Sequence, residues 1–222
     1  MDTKFIAVLS QKGGAGKTTV STNLAAAIER MGYKTCLIDT DPQGSSIDWS
    51  GVRGDDPEPT TTFPVIAMGK NLSKDARAAC SGVYDFVVID GAPRMDELLA
   101  PSIRLADLVV CPVQPSPYEI WSFQPVLEAL KTRQEVTDGL PLACFLVNRV
   151  KANAGLSKEI AQVLGQYEPT VLAARLHDRV AFAESATIGG TVLDADGSKA
   201  AEEVKAMAAE IISLLREQEA SQ

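Results

Sequence analysis

The stretch Phe5-Ile6-Ala7-Val8-Leu9-Ser10-Gln11-Lys12-Gly13-Gly14-Ala15-Gly16-Lys17-Thr18-Thr19 decides the fold. Phe5–Leu9 is a continuous apolar run of strand length, and Lys17–Met31 reads as a helix. The glycines between them let the backbone curl so that several N–H groups converge. The helix dipole adds partial positive charge at the same point. Strand, glycine-rich turn and helix start, in that order, make a phosphate cradle. Lys17 is placed to reach the β- and γ-phosphates of a nucleotide, Thr18 offers a hydroxyl to Mg²⁺, and Thr19 can donate from the first helical turn. Two details depart from the general pattern. Gln11 stands where the first glycine is expected, and a second lysine, Lys12, precedes the glycines.

Outward from this loop, apolar runs alternate with helical patterns. Strands are expected at Phe5–Leu9, Thr35–Ile38, Pro64–Ala67, Phe86–Ile89, Leu108–Pro112, Leu142–Val147 and Val171–Ala173. Several are continuously apolar, as strands buried on both faces are. Helices are expected at Lys17–Met31, Leu72–Cys80, Asp96–Leu105, Tyr118–Val136, Ser157–Gly165 and Ser198–Glu217. The alternation predicts an α/β fold: a doubly wound, mostly parallel sheet with helices on both faces, of the P-loop NTPase kind. No repeat or linker divides residues 1–222, so one domain is expected. Residues 50–62 are rich in turn formers and acids and read as a mobile surface loop. Arg216–Gln222 is polar and is expected to fray.

Three further strand ends carry chemistry. Asp39-Thr40-Asp41-Pro42-Gln43-Gly44 puts two acids beside the crevice of a parallel sheet, where one can hold the Mg²⁺ shell and the other orient a water. Val87-Val88-Ile89-Asp90-Gly91-Ala92-Pro93 is an apolar strand ending in the Asp of a Walker B pattern, which holds Mg²⁺ through water. At Asn148-Arg149 an amide can bond a base edge and a guanidinium plane can stack on it.

The bulk numbers exclude several classes. The 222 residues are 45% hydrophobic and 23% charged, an ordinary globular balance, with an aliphatic core implied by 5% aromatics. No window approaches the roughly 18 apolar residues of a membrane span, and no signal peptide is visible, so the cytoplasm is the expected compartment. Cys36, Cys80, Cys111 and Cys144 have no CxxC spacing, which argues against disulfides or zinc. His177, the single histidine, is read as surface or structural. The net charge of −8 argues against extensive nucleic-acid contact.

Lys12-Gly13-Gly14-Ala15-Gly16-Lys17-Thr18-Thr19 resembles the deviant Walker A motif of the ParA/MinD ATPases. With the Asp39–Gly44, Asp90–Pro93 and Val113-Gln114-Pro115-Ser116-Pro117 segments, the chain is similar to the short ParA branch from Lys4 to about Leu215. The resemblance implies ATP and Mg²⁺ as cofactors and an ATP-dependent homodimer in which Lys12 reaches the phosphates of the other subunit. It implies catalytic roles for Lys12, Lys17 and Asp41, with Asp41 positioning the attacking water. It implies phosphate binding by Gly13, Gly14, Ala15, Gly16, Lys17, Thr18 and Thr19, adenine contact by Asn148 aided by Arg149, and a metal site from Thr18, Asp39 and Asp90.

It further implies slow hydrolysis stimulated by a ParB-like partner, non-specific DNA binding and nucleoid association. The cargo would be a plasmid, a chromosome origin or a protein assembly. Lys151, Arg175, Arg179, Lys199 and Lys205 are the candidate DNA contacts. Two segments differ from the family's usual pattern: Gly91-Ala92-Pro93, where many relatives have Thr or Cys and two prolines, and Arg175-Leu176-His177-Asp178-Arg179, in place of Ile-Pro. A MinD-like membrane role would need a basic amphipathic C-terminal helix. The acidic end Glu210–Gln222 lacks one, so no membrane partner is expected. An iron–sulfur carrier would need interface cysteines, and a metabolic ligase a substrate pocket that no motif specifies.

Overall fold

The structure, a computed structural model, describes residues 2–54, 60–93, 96–116, 123–151 and 160–220. Seven strands form one parallel sheet: β1 (Lys4–Val8), β2 (Thr35–Asp39), β3 (Val65–Ala67), β4 (Phe86–Asp90), β5 (Leu108–Val113), β6 (Leu142–Val150) and β7 (Thr170–His177). Their order is β3-β2-β4-β1-β5-β6-β7, with every neighbouring pair parallel. The chain leaves β1 toward β2 on one side and, after β4, crosses to β5 on the other. The winding therefore reverses around β1, and the loop after β1 opens into the crevice where such folds bind ligands.

The helices are α1 (Lys17–Arg30), α2 (Ser45–Gly54), α3 (Leu72–Cys80), α4 (Asp96–Leu105), α5 (Gln124–Gln134), α6 (Val180–Thr187) and α7 (Lys199–Ala220); residues 160–164 are also helical. Alternating strand residues feed two cores. Ile6, Val8, Phe86 and Val88 join Leu24, Ile28, Val204 and Ile211 of α1 and α7 on one face. Phe5, Ala7, Val87 and Ile89 join Leu72, Ile103 and Val126 of α3, α4 and α5 on the other. Burial on both faces is why the strands read as unbroken apolar runs.

Several expectations need correction. Residues 50–54 are the end of α2, not loop. Trp49 holds this helix by donating its Nε1–H to Gly190 O at 2.9 Å and stacking on Phe63 at 5.8 Å. Nor is the second half of the expected loop loose where it is described. Thr61 and Phe63 are buried, and Thr62 is bonded to Glu29 through its N–H and hydroxyl. Residues 55–59 lie outside the described residues.

Helix α6 was not foreseen; it buries no residue fully, so it leaves no amphipathic signature. The tail does not fray at Arg216. Helix α7 continues to Ala220 and is tied down by a Lys4–Glu219 ion pair of 2.7 Å. The helix expected over Tyr118–Val136 runs from Gln124, and residues 118–122 lie outside the described part, as do 157–159 of the helix expected at Ser157–Gly165.

Strands β6 and β7 are longer than their apolar runs, so Asn148, Arg149 and His177 sit within strand ends. Helix α7 extends support to the edge strand β7. Its Glu210 carboxylate accepts the N–H groups of Ala173 and Ala174, and Glu203 accepts that of His177. This covers N–H groups that an open sheet edge would otherwise present for aggregation.

Candidate functional site

The loop after β1 turns into α1 through Gly14 and Gly16, both in the left-handed region at φ 77° and 88°. Its carbonyls are gripped from the far strands. Asn148 Nδ2 donates to Ala15 O at 2.9 Å, and Gln114 Nε2 to Gly14 O at 2.8 Å. An Arg149 guanidinium nitrogen adds a bond to Gly14 O at 3.3 Å. Fixing those carbonyls fixes the peptide planes, and with them the direction of the N–H groups across each plane. Gly16 must be glycine for a second reason: a Cβ there would lie 2.4 Å from Asn148 Nδ2.

Opposite the loop stand the strand-end acids. Asp90 is 1% exposed, and three hydroxyls converge on it. Thr18 and Ser46 donate to Oδ2 at 2.8 Å each, and Ser21 donates to Oδ1 at 3.2 Å. Burial lifts its carboxyl from the ordinary 3.8 to about 6, against the pull of these hydrogen bonds. Asp39, also 1% exposed, accepts the N–H of Asp41 on Oδ1 at 2.9 Å and those of Ser46 and Ile47 on Oδ2 at 2.8 and 3.1 Å. It thus caps α2 and folds the Asp39–Ser46 loop. Asp41 Oδ1 accepts the Gln43 N–H at 2.9 Å. Lys17 is buried with its Nζ 3.3 Å from Lys12 O. Burial lowers its pKa, opposed by Asp90 and Asp41. One cation therefore faces two carboxylates, the buried Asp90 and the half-buried Asp41.

The model of the CobQ/CobB/MinD/ParA nucleotide binding domain matches residues 6–192, which include this loop, both acid clusters and Asn148. The chain belongs to this family. Two curated members align over nearly all of it. "Maintenance of carboxysome distribution protein A" of Halothiobacillus neapolitanus is 27% identical, covering 93% of this chain and 95% of that protein. "Chromosome-partitioning ATPase Soj" of Thermus thermophilus is 28% identical, covering 96% of each. Among solved structures, cobyrinic acid a,c-diamide synthase from Mycobacterium smegmatis with bound ADP and magnesium superposes with a TM-score of 0.73 at 21% identity, covering 99% of this chain and 97% of that one. At that identity the likeness speaks for the fold alone.

Within this family domain the cleft measures about 450 Å³, in the range of nucleotide-sized sites. Lys17, Thr18, Thr19 and Asp41 line it together with Asn148, Arg149, His177, Asp178 and Phe182. Arg149 takes φ 54°, unusual for a side-chain-bearing residue, and its N–H is held by Asn148 Oδ1 at 2.9 Å. Of the substituted segment, His177, Asp178 and Arg179 form cleft wall, and α7 braces it: His177 Nδ1 lies 2.8 Å from Glu203 Oε1, which also pairs with Arg179.

Of the expected site residues, Gly13, Gly14, Gly16, Lys17, Thr18, Thr19, Asp41, Asn148 and Arg149 line the cleft, while the buried Asp39 and Asp90 are bonded to the Asp41 N–H and the Thr18 hydroxyl. Lys12 is exposed and does not line its own chain's cleft. Sequence reasoning gave no role to Gln114, Ser21 or Ser46. Only the Ser at the start of a helix after an acid-rich turn was a signal, since such positions favour hydroxyl residues.

The Walker B loop is fitted closely. Gly91 N–H donates to Val8 O at 3.1 Å, and a Cβ at Gly91 would lie 2.7 Å from that oxygen and 2.6 Å from Leu9 Cδ2. The glycine that departs from the family's usual residue is thus required by β1's backbone here. Gly91→Ala is expected to cost about 1–3 kcal/mol through forced overpacking. Thermal unfolding would show this as a drop of several degrees, and an unchanged Tm would mean that the neighbours yield freely.

Proposed function

We propose that this chain is a ParA-type ATPase that dimerises around ATP and Mg²⁺. The observation that carries the reading is the division of labour between two lysines on one loop. Lys17 lines its own cleft, whereas Lys12 is exposed outside it. A cation on a phosphate loop that does not serve its own cleft suits the phosphates held by a second copy. ATP would then be part of the interface, with each added lysine meeting phosphate across it.

The donor set fits Mg²⁺ and ATP. Mg²⁺ takes few protein ligands and keeps waters and phosphates as the rest. One buried carboxylate, Asp90, with the Thr18 hydroxyl beside it, meets that need, and among the described residues no cluster of three metal-ligating side chains suggests another metal. Bound Mg²⁺ would neutralise charge on the phosphates. Lys17 would hold the terminal phosphates, and Asp41 would orient the attacking water. Asp39, with both oxygens on backbone N–H groups, would act by shaping Asp41's loop. Asn148 and Arg149 would flank the base. The amide of Asn148 already grips the P-loop, which would link base and phosphate ends.

Lys12→Ala is expected to bind ATP as a monomer but to lose ATP-dependent dimerisation. Light scattering with Mg-ATP tests this, and a mutant that dimerises like wild type would remove the trans role.

Partition or positioning of cargo along DNA, with a ParB-like activator, is the cellular role we infer from the two near full-length relatives. Arg179 is paired with Glu203, and Lys205 with Asp196 and Glu202, which favours Lys151, Arg175 and Lys199 as the phosphate contacts. A gel shift of arbitrary duplex by the ATP-bound protein, weakening steeply with salt, tests this part. Absence of any shift at low salt would overturn it. The carboxysome relative supports a protein cargo equally well, since the ATPase chemistry is shared. A cytoplasmic, nucleoid-associated location is part of the role inferred from the two relatives; no described helix is long and apolar enough to cross a membrane.

A further inference from the structure

Ser46, the second residue of α2, is fully buried. A buried hydroxyl is costly unless its hydrogen bonds are made, and Ser46 spends both its polar donors on the site. Its Oγ donates to Asp90 Oδ2 at 2.8 Å, and its N–H donates to Asp39 Oδ2 at 2.8 Å. The other oxygen of Asp39 accepts the Asp41 N–H at 2.9 Å. Three hydrogen bonds therefore run without a break from Asp90, at the end of β4, through Ser46 and Asp39 to the backbone of Asp41 in the cleft. Three of the four residues on this path are at most 1% exposed, so water does not compete for the bonds. Thr40 adds a strut between the same two loops, donating to Asp90 O at 2.8 Å and accepting the Ala92 N–H at 3.1 Å.

The oxygen that Ser46 holds is also the one that Thr18 holds, at 2.8 Å. A rearrangement of the Thr18–Asp90 pair is thus felt by Ser46 directly. Ser21 donates only to the opposite oxygen and has no bond to the Asp39–Ser46 loop.

We propose that Ser46 is a positioning residue for hydrolysis. It ties the loop that carries Asp41 to Asp90, and so keeps the water-orienting carboxylate in register with the metal-side carboxylate. This deepens the hydrolase reading above and rests on it.

The test uses the full chain with Mg-ATP, comparing wild type with Ser46→Ala, Ser46→Cys and Ser46→Thr. Cysteine fills the serine's volume with a poor donor, so the comparison survives if the alanine variant folds badly. Two quantities are measured: kcat, and the Kd of a fluorescent ATP analogue with Mg²⁺. Ser46→Ala and Ser46→Cys are expected to lose about tenfold in kcat, the effect of a sub-ångström misplacement of a catalytic group, while Kd moves less than about twofold. Ser46→Thr, which keeps the hydroxyl, should recover most of kcat. Wild-type kcat in the cysteine variant would overturn the proposal. So would parallel losses in kcat and nucleotide affinity, which would mark a merely structural residue. A wild-type protein that binds Mg-ATP without hydrolysing it would instead refute the hydrolase reading on which the proposal stands.

Discussion

Asp41→Ala should lower ATP turnover by about a hundredfold or more while leaving Mg-ATP binding intact or slightly tighter. The turnover loss is the scale of a removed proton-handling or water-orienting group. Binding should not suffer because Asp41 contributes negative charge beside Lys17, where the phosphates would lie. Removing it relieves repulsion. The loop should keep its shape, since it is the backbone N–H of residue 41, not its side chain, that Asp39 grips. Only the Gln43 N–H loses a partner, at an exposed position. Single-turnover hydrolysis and titration of a fluorescent ATP analogue would measure the two effects separately. If dimerisation follows ATP, the mutant should also give a long-lived dimer. Turnover within a fewfold of wild type would assign the water to another group.

Asp90→Asn should split stability from function. The buried carboxyl titrates near 6 rather than 3.8 because burial penalises its charge. That difference amounts to roughly 3 kcal/mol against the ionised, metal-free fold. Asparagine is neutral and nearly isosteric, and the hydroxyls of Thr18, Ser21 and Ser46 can each donate or accept. At pH 7.5, with EDTA and no nucleotide, the variant is therefore expected to melt several degrees higher than wild type. Its Mg²⁺-dependent gain in nucleotide affinity should vanish, since the one carboxylate beside Thr18 is gone.

The wild type should also show the pH dependence of this group. Below the unfolded value of 3.8 both states are protonated, and the burial cost is absent. Between there and about 6 the folded state holds a proton that the unfolded chain has released, so this contribution to stability falls as pH rises. The slope should be missing in Asp90→Asn. A lower Tm in the variant, or retained Mg²⁺ dependence, would refute the assignment.

The inner strands β1, β2, β4, β5 and β6 were legible because each is buried on two faces, and such a strand advertises itself as an apolar run without reference to its neighbours; the edge strands β3 and β7, only partly buried, offered shorter runs. Helix α1 was legible for a related reason: Gly16 and Lys17 punctuate its start. The elements that escaped notice have weak local signals. Helix α6 buries nothing completely, and α2 owes its start to Asp39, six residues upstream. The acid pair Asp39 and Asp41 could be located but not divided by task. One carboxylate is spent on three backbone N–H groups and the other lines the cleft, a distinction made by the fold of the loop between them.

By itself the sequence determined the parallel sheet, the phosphate loop and the set of acids that surround it, because glycine, lysine, hydroxyl and strand-end carboxylate chemistry is local and ordered along the chain. Only the tertiary structure decided which side chains hold that loop in shape. Gln114, Asn148 and Arg149 reach Gly14 and Ala15 across 100, 133 and 135 positions, and Ser46 reaches Asp90 across 44. Hydrogen bonds of that span depend on the register of β5 and β6 beside β1 and on where α2 begins. They leave no pattern at any fixed spacing in the sequence.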